Sequence, residues 1–249
     1  MPACKVRPHL LMLLTSYLIV TVFVAIPASS HTGLFQAKWG SNRLSDGIKW
    51  RFASDFPTGD ARERMKDGAS RWNTLYETHT GAATFFNFEQ NQTAYQAFPF
   101  GSCPTSGGPY AGDSSVPGGT EKDAMHWGVI DGAAVGQTLV CTFAMAGGTD
   151  SNSFHSFQIK MDSSYSWYTG AAAPGQNDKD MLQVAVHEFG HATGRIVGGY
   201  DQNGHFDPSG SLCVATEAGH HTMCASTIVN REWDRSLNTH DKDAFENAY

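Results

Sequence analysis

The sequence predicts a protein of the α+β class, because strand and helix patterns of different kinds occur in one chain. Residues 47–52 alternate apolar and polar side chains, which is typical of a half-buried strand, and residues 84–89 read as a second strand. Between them, residues 61–78 keep apolar side chains on one side, as an amphipathic helix does. From Met181, apolar residues recur at spacings of three and four, which indicates a buried helix.

The first thirty residues have the pattern of a secretory signal peptide. Lys5 and Arg7 give a positive start, and an apolar run over residues 10–26 ends in the small residues of Pro27-Ala28-Ser29-Ser30. A membrane anchor is the alternative, but this run of about 17 residues is at the short limit for spanning a bilayer. We therefore expect cleavage after Ser30 and a secreted, extracellular protein that has no membrane contact after signal removal.

The rest of the chain divides into a short, polar N-terminal segment, residues 31–46, and one domain over residues 47–249. Within the domain, Trp72 is expected to anchor the amphipathic helix in the core. Two further strands are predicted at residues 138–143 and 154–161.

Three features of the middle of the chain indicate structure and give no sign of catalysis. Residues 99–120 are rich in Gly, Pro and Ser and predict a loop. Asn91 begins a glycosylation sequon, which implies an exposed site if it is used. His155 lies within a predicted strand, where a lone histidine is more often structural than a metal ligand.

The sequence from His187 to Gly194 reads H-E-x-x-H-x-x-G and lies on the predicted buried helix. Positions i and i+4 share one face of a helix, so His187 and His191 can direct two imidazoles at one point. A catalytic zinc takes three protein ligands and one water, and Glu188 can take a proton from that water. A chance match would not usually fall on an apolar helix and be followed by a glycine.

Both ends of this helix carry recognisable signals. Gly194 is expected to end the helix in the left-handed conformation that glycine tolerates. At the other end, Asp178 or Asp180 can cap the first turn and interact with its positive end.

The cysteines that remain after Cys4 is removed are expected to form disulfides, because an exported protein meets an oxidising compartment. Cys213 and Cys224 are close in sequence and flank one loop, so we expect them to pair and Cys103 to pair with Cys141. Their spacing fits no zinc-ribbon pattern, so we do not expect them to bind a metal.

The charge of the chain argues against a nucleic-acid partner. It carries 17 basic and 24 acidic residues, a net charge of −7, and loss of Lys5 and Arg7 leaves 15 against 24, or −9. No basic stripe is present, so binding to a polyanion is not expected.

These features together resemble the metzincin-type zinc metalloproteases, and the matrixin-like members are closest in arrangement. The resemblance rests on the order of strand, Trp72-bearing helix and strand, on residues 187–194, and on the later Thr222-Met223-Cys224. It implies a metzincin-like zincin fold, with a twisted mixed β-sheet, an active-site helix and a small C-terminal lobe. It also implies that Met223 forms a turn beneath the zinc and that residues 237–249 form the last helix.

The third zinc ligand does not follow the family pattern. That pattern has a histidine six residues after His191, and the residue here is Val197, which cannot bind zinc. His205 is the first choice, because the glycine-rich residues 198–203 let the chain loop out and return. Asp201 is the second choice. A third group borders the predicted methionine turn and reads more plainly as a polar surface loop: Glu217, His220 and His221.

The residues and the resemblance predict a secreted zinc-dependent endopeptidase that hydrolyses peptide bonds through a metal-bound water. Glu188 is the expected catalytic residue, and His187, His191 and His205 are the expected ligands of Zn²⁺. We expect a monomer whose protein or peptide substrate pairs with an edge strand near residues 138–143. The alternatives are a secreted non-catalytic binding module with a structural zinc, a zinc hydrolase of non-peptide amides or esters, and a chance motif without zinc.

Overall fold

The computed structural model describes residues 34–89, 99–103, 123–142, 153–171, 179–197, 222–223, 235–237, 239–246 and 248–249. Over these ranges the elements are, in order, β1 (Leu34–Lys38), α1 (Ser41–Leu44), β2 (Ile48–Phe52), α2 (Asp60–Thr80), β3 (Phe86–Phe88), β4 (Ala124–Gly128), β5 (Gly136–Thr142), β6 (Phe154–Asp162), β7 (Trp167–Tyr168), β8 (Lys179–Asp180), α3 (Met181–Thr193), β9 (Gly194–Val197) and α4 (Thr239–Glu246). The protein therefore belongs to the α+β class, as predicted.

The central sheet is mixed and has the strand order β3-β2-β4-β6-β5. Its first four strands are mutually parallel, and β5 is antiparallel to β6 at the edge of the described sheet. β5 and β6 confirm the strands predicted at 138–143 and 154–161. The predicted disulfide between Cys103 and Cys141 is present, with a Cα–Cα distance of 5.6 Å, and ties the preceding chain to β5.

The strand–helix–strand start of the domain also agrees with the prediction. β2 and β3 lie within the predicted strands, and α2 covers the predicted helix and ends before Gly81, which adopts the left-handed conformation with a φ of 74°. Trp72 is buried in α2, and its indole N–H donates to the Val186 carbonyl of α3 at 2.9 Å. Trp72 therefore anchors α2 on the helix that carries the histidine pair.

An aromatic core fixes the orientation of α3 against the sheet. The ring of Phe189 lies 4.9 Å from Phe86, 5.1 Å from Trp50 and 6.2 Å from Phe157, measured between ring centroids. All four side chains are fully buried. Because neighbouring residues of a helix point in different directions, this inward position of Phe189 leaves Glu188 to face away from the centre of the core.

The prediction that Gly194 ends the helix in a left-handed conformation is wrong. α3 does end at Thr193, but Gly194 has a φ of 171°, which is extended backbone, and it begins β9. β9 pairs antiparallel with β1, where Val197 lies opposite Leu34. The chain leaves the helix directly into a strand, so no left-handed turn is needed.

The N-terminal segment, described from residue 34, packs against the domain that was predicted to begin at residue 47. It contains β1 and α1, and Trp39 between them is buried, with its indole N–H donating to the Ala192 carbonyl at 2.8 Å. The N-terminal segment therefore braces the last turn of α3.

Helix α4 confirms the helix predicted within residues 237–249. None of the helices that the structure describes is both long and apolar enough to cross a membrane. Several predictions concern positions outside the described residues, namely the signal peptide at 1–30, the Asn91 sequon, the loop from 104 to 120, Asp178, and the pairing of Cys213 with Cys224.

Candidate metal centre

The start of α3 is fixed by a buried carboxylate, as the sequence predicted for one of two aspartates. Asp180 Oδ1 accepts hydrogen bonds from the backbone N–H groups of Leu182 and Gln183 at 3.0 and 3.4 Å. The other oxygen of Asp180 pairs with the Arg235 guanidinium, and both side chains are buried. This end of the helix is therefore tied to the chain that precedes α4.

The two histidines of the motif point at each other from successive turns of α3. Their Nε2 atoms are 3.1 Å apart, and their ring planes are inclined at 85° with centroids 4.7 Å apart. Two nitrogens that share a tetrahedral zinc at 2.0–2.1 Å are separated by about 3.3 Å. The side chains of His187 and His191 are thus already arranged as two ligands of one such ion.

The backbone carbonyl of Thr222 determines which nitrogen of His187 is available to a metal. His187 Nδ1 lies 2.6 Å from this oxygen, and a carbonyl can only accept, so Nδ1 carries the proton. Nε2 then holds a lone pair that faces His191, which is the tautomer a metal ligand requires.

The protonation of His187 favours the same role. Burial lowers the pKa of this imidazole below its ordinary value, against the opposing effects of the Thr222 carbonyl and the Asp241 carboxylate. A lowered pKa keeps the ring neutral at neutral pH, and only the neutral ring binds a metal.

The Thr222–Met223 turn is itself held by the C-terminal part of the chain. Asp241 Oδ2, on α4, accepts from the Thr222 backbone N–H at 3.1 Å, and the Thr222 hydroxyl donates to the Ser236 carbonyl at 2.9 Å. Asp241 is 1% exposed. A chain of hydrogen bonds therefore runs from α4 through the turn to His187.

Met223 packs under α3 against Gly190, which precedes the second histidine of the motif. A Cβ atom placed on Gly190 would lie 2.3 Å from Met223 Sδ and 2.8 Å from Trp72 Cζ2, so only glycine fits this contact. Met223 is fully buried. Met223 thus packs against α3, and its expected place beneath a zinc ion stays a prediction.

Glu188 lies on the other side of α3, against the edge strand β5. The Thr138 hydroxyl donates to Glu188 Oε2 at 2.6 Å. A Cβ atom on Gly136 would lie 2.6 Å from Glu188 Oε1, so the carboxylate fills the space that this glycine leaves. The carboxylate is thus held one residue from the first histidine.

The described residues supply two of the three expected zinc ligands. Among them, no three His, Cys, Asp or Glu side chains are grouped to hold one metal ion. The remaining candidates all lie outside the described residues: Asp201, His205, Glu217, His220 and His221. The choice of His205 as third ligand therefore stays a prediction, whereas the separation and tautomer of the histidine pair fit zinc.

Sequence reasoning missed three residues that position the side chains of the motif, directly or through a neighbour. Thr138 was recognised only as part of a strand, Thr222 only as a neighbour of Met223, and Asp241 only as part of a helix. Thr138 carries a faint signal, because a hydroxyl on the core side of a strand needs a partner. The roles of Thr222 and Asp241 depend on tertiary contacts and have no local sequence signal.

Comparison with known proteins gives no family assignment. The chain matches no protein-family model and shows no significant similarity to a curated protein.

Proposed function

We propose that this protein is a secreted zinc metalloendopeptidase of the metzincin type, with a matrixin-like arrangement. One observation carries the proposal. It is the convergence of His187 Nε2 and His191 Nε2 to 3.1 Å, with the Glu188 carboxylate on the neighbouring position of the same helix. One turn of α3 therefore carries two possible zinc ligands and a carboxylate that can transfer a proton.

His187, His191 and His205 would hold the zinc. When bound, zinc supplies a Lewis acid that polarises the scissile carbonyl and makes water a better nucleophile at neutral pH. The Thr222 carbonyl keeps the lone pair of His187 Nε2 directed toward His191. Burial keeps that imidazole neutral, since it lowers the pKa of His187.

Glu188 is the proton carrier in this proposal. Its Oε2 accepts from Thr138, which holds the carboxylate that takes the proton of the attacking water. The same carboxyl then donates this proton to the leaving amine of the cleaved peptide. Both transfers require the carboxylate to stay within hydrogen-bond reach of the reacting atoms, about 2.6–3.2 Å.

The edge strand β5 supplies a binding surface for an extended peptide. It is antiparallel to β6, and its other side has no partner strand in the described sheet. Unpaired backbone groups on an edge strand can pair with a substrate chain, which aligns the substrate without reading its side chains. Since Glu188 contacts this strand, a peptide paired with β5 would lie next to the base.

The decisive experiment compares casein cleavage by the wild-type chain and by Glu188→Gln, each with measured zinc content. We expect one zinc per chain in both proteins and a loss of activity of about 100-fold or more in the variant. Glu77→Gln is the matched control, because Glu77 is an exposed residue of α2. A chelator should stop wild-type cleavage, and added zinc should restore it.

Other outcomes would point to the alternatives. A wild-type chain that binds zinc, cleaves no protein and hydrolyses ester or amide substrates would be a non-peptide hydrolase. A chain that binds zinc and hydrolyses nothing would be a binding module. Cleavage that survives Glu188→Gln unchanged would refute the proposed role of Glu188.

A further inference from the structure

We infer that Thr138 is a positioning residue for the catalytic carboxylate, which its hydroxyl holds in one orientation. This inference rests on the proposed function of Glu188. It assigns to the edge strand a second task besides any contact with the substrate, namely the placement of the base.

The register of β5 puts Thr138 on the core side of the sheet. Thr138 lies opposite Ile159, and Gly136 lies opposite Met161, and both partners on β6 are fully buried. Directly opposite residues of an antiparallel pair share a face, so these two positions of β5 face the same layer as α3. Positions of this kind usually carry apolar side chains, and a threonine there calls for a hydrogen-bond partner.

The Thr138 hydroxyl finds that partner in Glu188. Its Oγ1 lies 2.6 Å from the carboxylate Oε2 and 3.1 Å from the backbone oxygen of the same residue. The hydroxyl has one proton, and the shorter contact to the charged acceptor is the stronger one. The hydrogen bond therefore fixes the end of the side chain rather than the helix backbone.

Gly136 limits the carboxylate from the other direction. A Cβ atom at this position would lie 2.6 Å from Glu188 Oε1 and 2.8 Å from Val184 Cγ1. Thr138 thus holds one oxygen, and the space beside Gly136 receives the other. The Thr138 hydrogen bond and the packing beside Gly136 together hold the flexible Glu188 side chain in one orientation.

If Thr138 holds Glu188 in place, loss of the Thr138 hydroxyl should lower the turnover rate and leave substrate affinity and zinc content unchanged. Thr138 makes no described contact with His187 or His191, and its side chain points to α3 rather than along the side of β5 that has no partner in the described sheet. Loss of its hydroxyl removes a hydrogen bond to a charged group, which corresponds to about 10- to 100-fold in rate.

The test is the steady-state cleavage of a quenched fluorescent peptide, taken from a site cut in casein, by three variants. Thr138→Val should lower kcat about 10- to 100-fold, with KM within about twofold and one zinc per chain. Thr138→Ser should recover most of kcat, because it restores the hydroxyl. Thr74→Val, the same change at an exposed position of α2, should behave like the wild type.

Two results would overturn the inference. One is a Thr138→Val enzyme with the kcat of Thr74→Val. The other is a joint loss of kcat, zinc and thermal stability that Thr138→Ser does not repair, which would indicate a purely structural role. A wild-type chain that cleaves no substrate would instead refute the proposed function.

A thermal unfolding cycle on the zinc-free chain tests the contact without activity. Thr138→Val should lower Tm by about 3–10 °C in the wild-type background. It should have a clearly smaller effect in the Glu188→Ala background, where the acceptor is gone. Equal shifts in both backgrounds would show that Thr138 stabilises the protein without holding Glu188.

Discussion

The two sides of helix α3 are built in different ways. On one side, the Glu188 carboxylate accepts a side-chain hydrogen bond from Thr138 of the edge strand. On the other side, His187 is held by a backbone carbonyl, that of Thr222, in a turn that Asp241 and Ser236 fix in turn. Each side also depends on a glycine whose missing side chain admits its neighbour, Gly136 for the carboxylate and Gly190 for Met223.

This difference separates two properties that a hydrolase must combine. The histidine side is anchored through backbone and buried packing, so changes there should act on stability and metal affinity together. The glutamate side depends on the end of one flexible side chain, so changes there should lower turnover, cost some stability and leave metal binding intact. Substitutions on each side of α3 should therefore have different effects.

Gly190→Ala should have the largest effect. The new methyl group would overlap Met223 Sδ at 2.3 Å and Trp72 Cζ2 at 2.8 Å, and neither buried side chain has room to move away freely. We expect the free energy of unfolding to fall by about 1–3 kcal/mol or more and zinc affinity to fall with it. Urea unfolding and zinc titration measure the two quantities.

Gly40→Ala is the control for that change, because a Cβ atom there meets nothing within 4 Å and the residue has a φ of −69°. If Gly190→Ala kept both the stability and the zinc affinity of Gly40→Ala, the packing under the histidine pair would not support the metal site.

Gly136→Ala should separate turnover from metal binding. Its methyl group would displace Glu188 Oε1, which is the end of a flexible side chain, although it also meets Val184 Cγ1 at 2.8 Å. We expect kcat for peptide cleavage to fall at least about tenfold while the chain still binds one zinc. Gly128→Ala, at the end of β4 and nearest to the Lys160 side chain, is the control. Loss of zinc binding in Gly136→Ala would show that the glutamate side and the histidine side of α3 are not independent.

Asp241→Ala should weaken the metal site less than Gly190→Ala, because Asp241 reaches His187 through the hydrogen bonds of the Thr222 turn and through its charge. Removal of Oδ2 leaves the buried N–H of Thr222 without this acceptor, which costs about 1–3 kcal/mol of stability. Zinc affinity should fall about 10- to 100-fold, as for other residues that orient a metal ligand. Asp243→Ala on the same helix serves as control, and equal zinc affinities of the two variants would contradict the proposed chain of contacts.

The elements with strong local patterns could be predicted from the sequence. The amphipathic pattern of α2, the apolar periodicity of α3 and the alternation in β2 each depend on residues near one another in the chain. The Asp180 cap and the Cys103–Cys141 disulfide were also predictable, the first from its position before the helix and the second from pairing the closest cysteines first.

The contacts that tune the site could not be predicted, because they join distant parts of the chain. Thr138 meets Glu188 across 50 positions, and Asp241 reaches Thr222 only because α4 packs against the turn. The path after α3 was missed for a similar reason. Gly194 looks like a left-handed helix end locally, but β1, more than 150 residues earlier, pairs with the following strand and keeps the backbone extended.

The central claim is that His187 and His191 bind one zinc ion with a third ligand from the segment that follows α3. Anomalous diffraction at the zinc absorption edge, from crystals of the zinc-loaded chain, tests this directly. We expect one strong peak within about 2.0–2.1 Å of both Nε2 atoms, with His205 as the third protein ligand. A peak at another place in the molecule, or no peak between the two histidines at saturating zinc, would contradict the account.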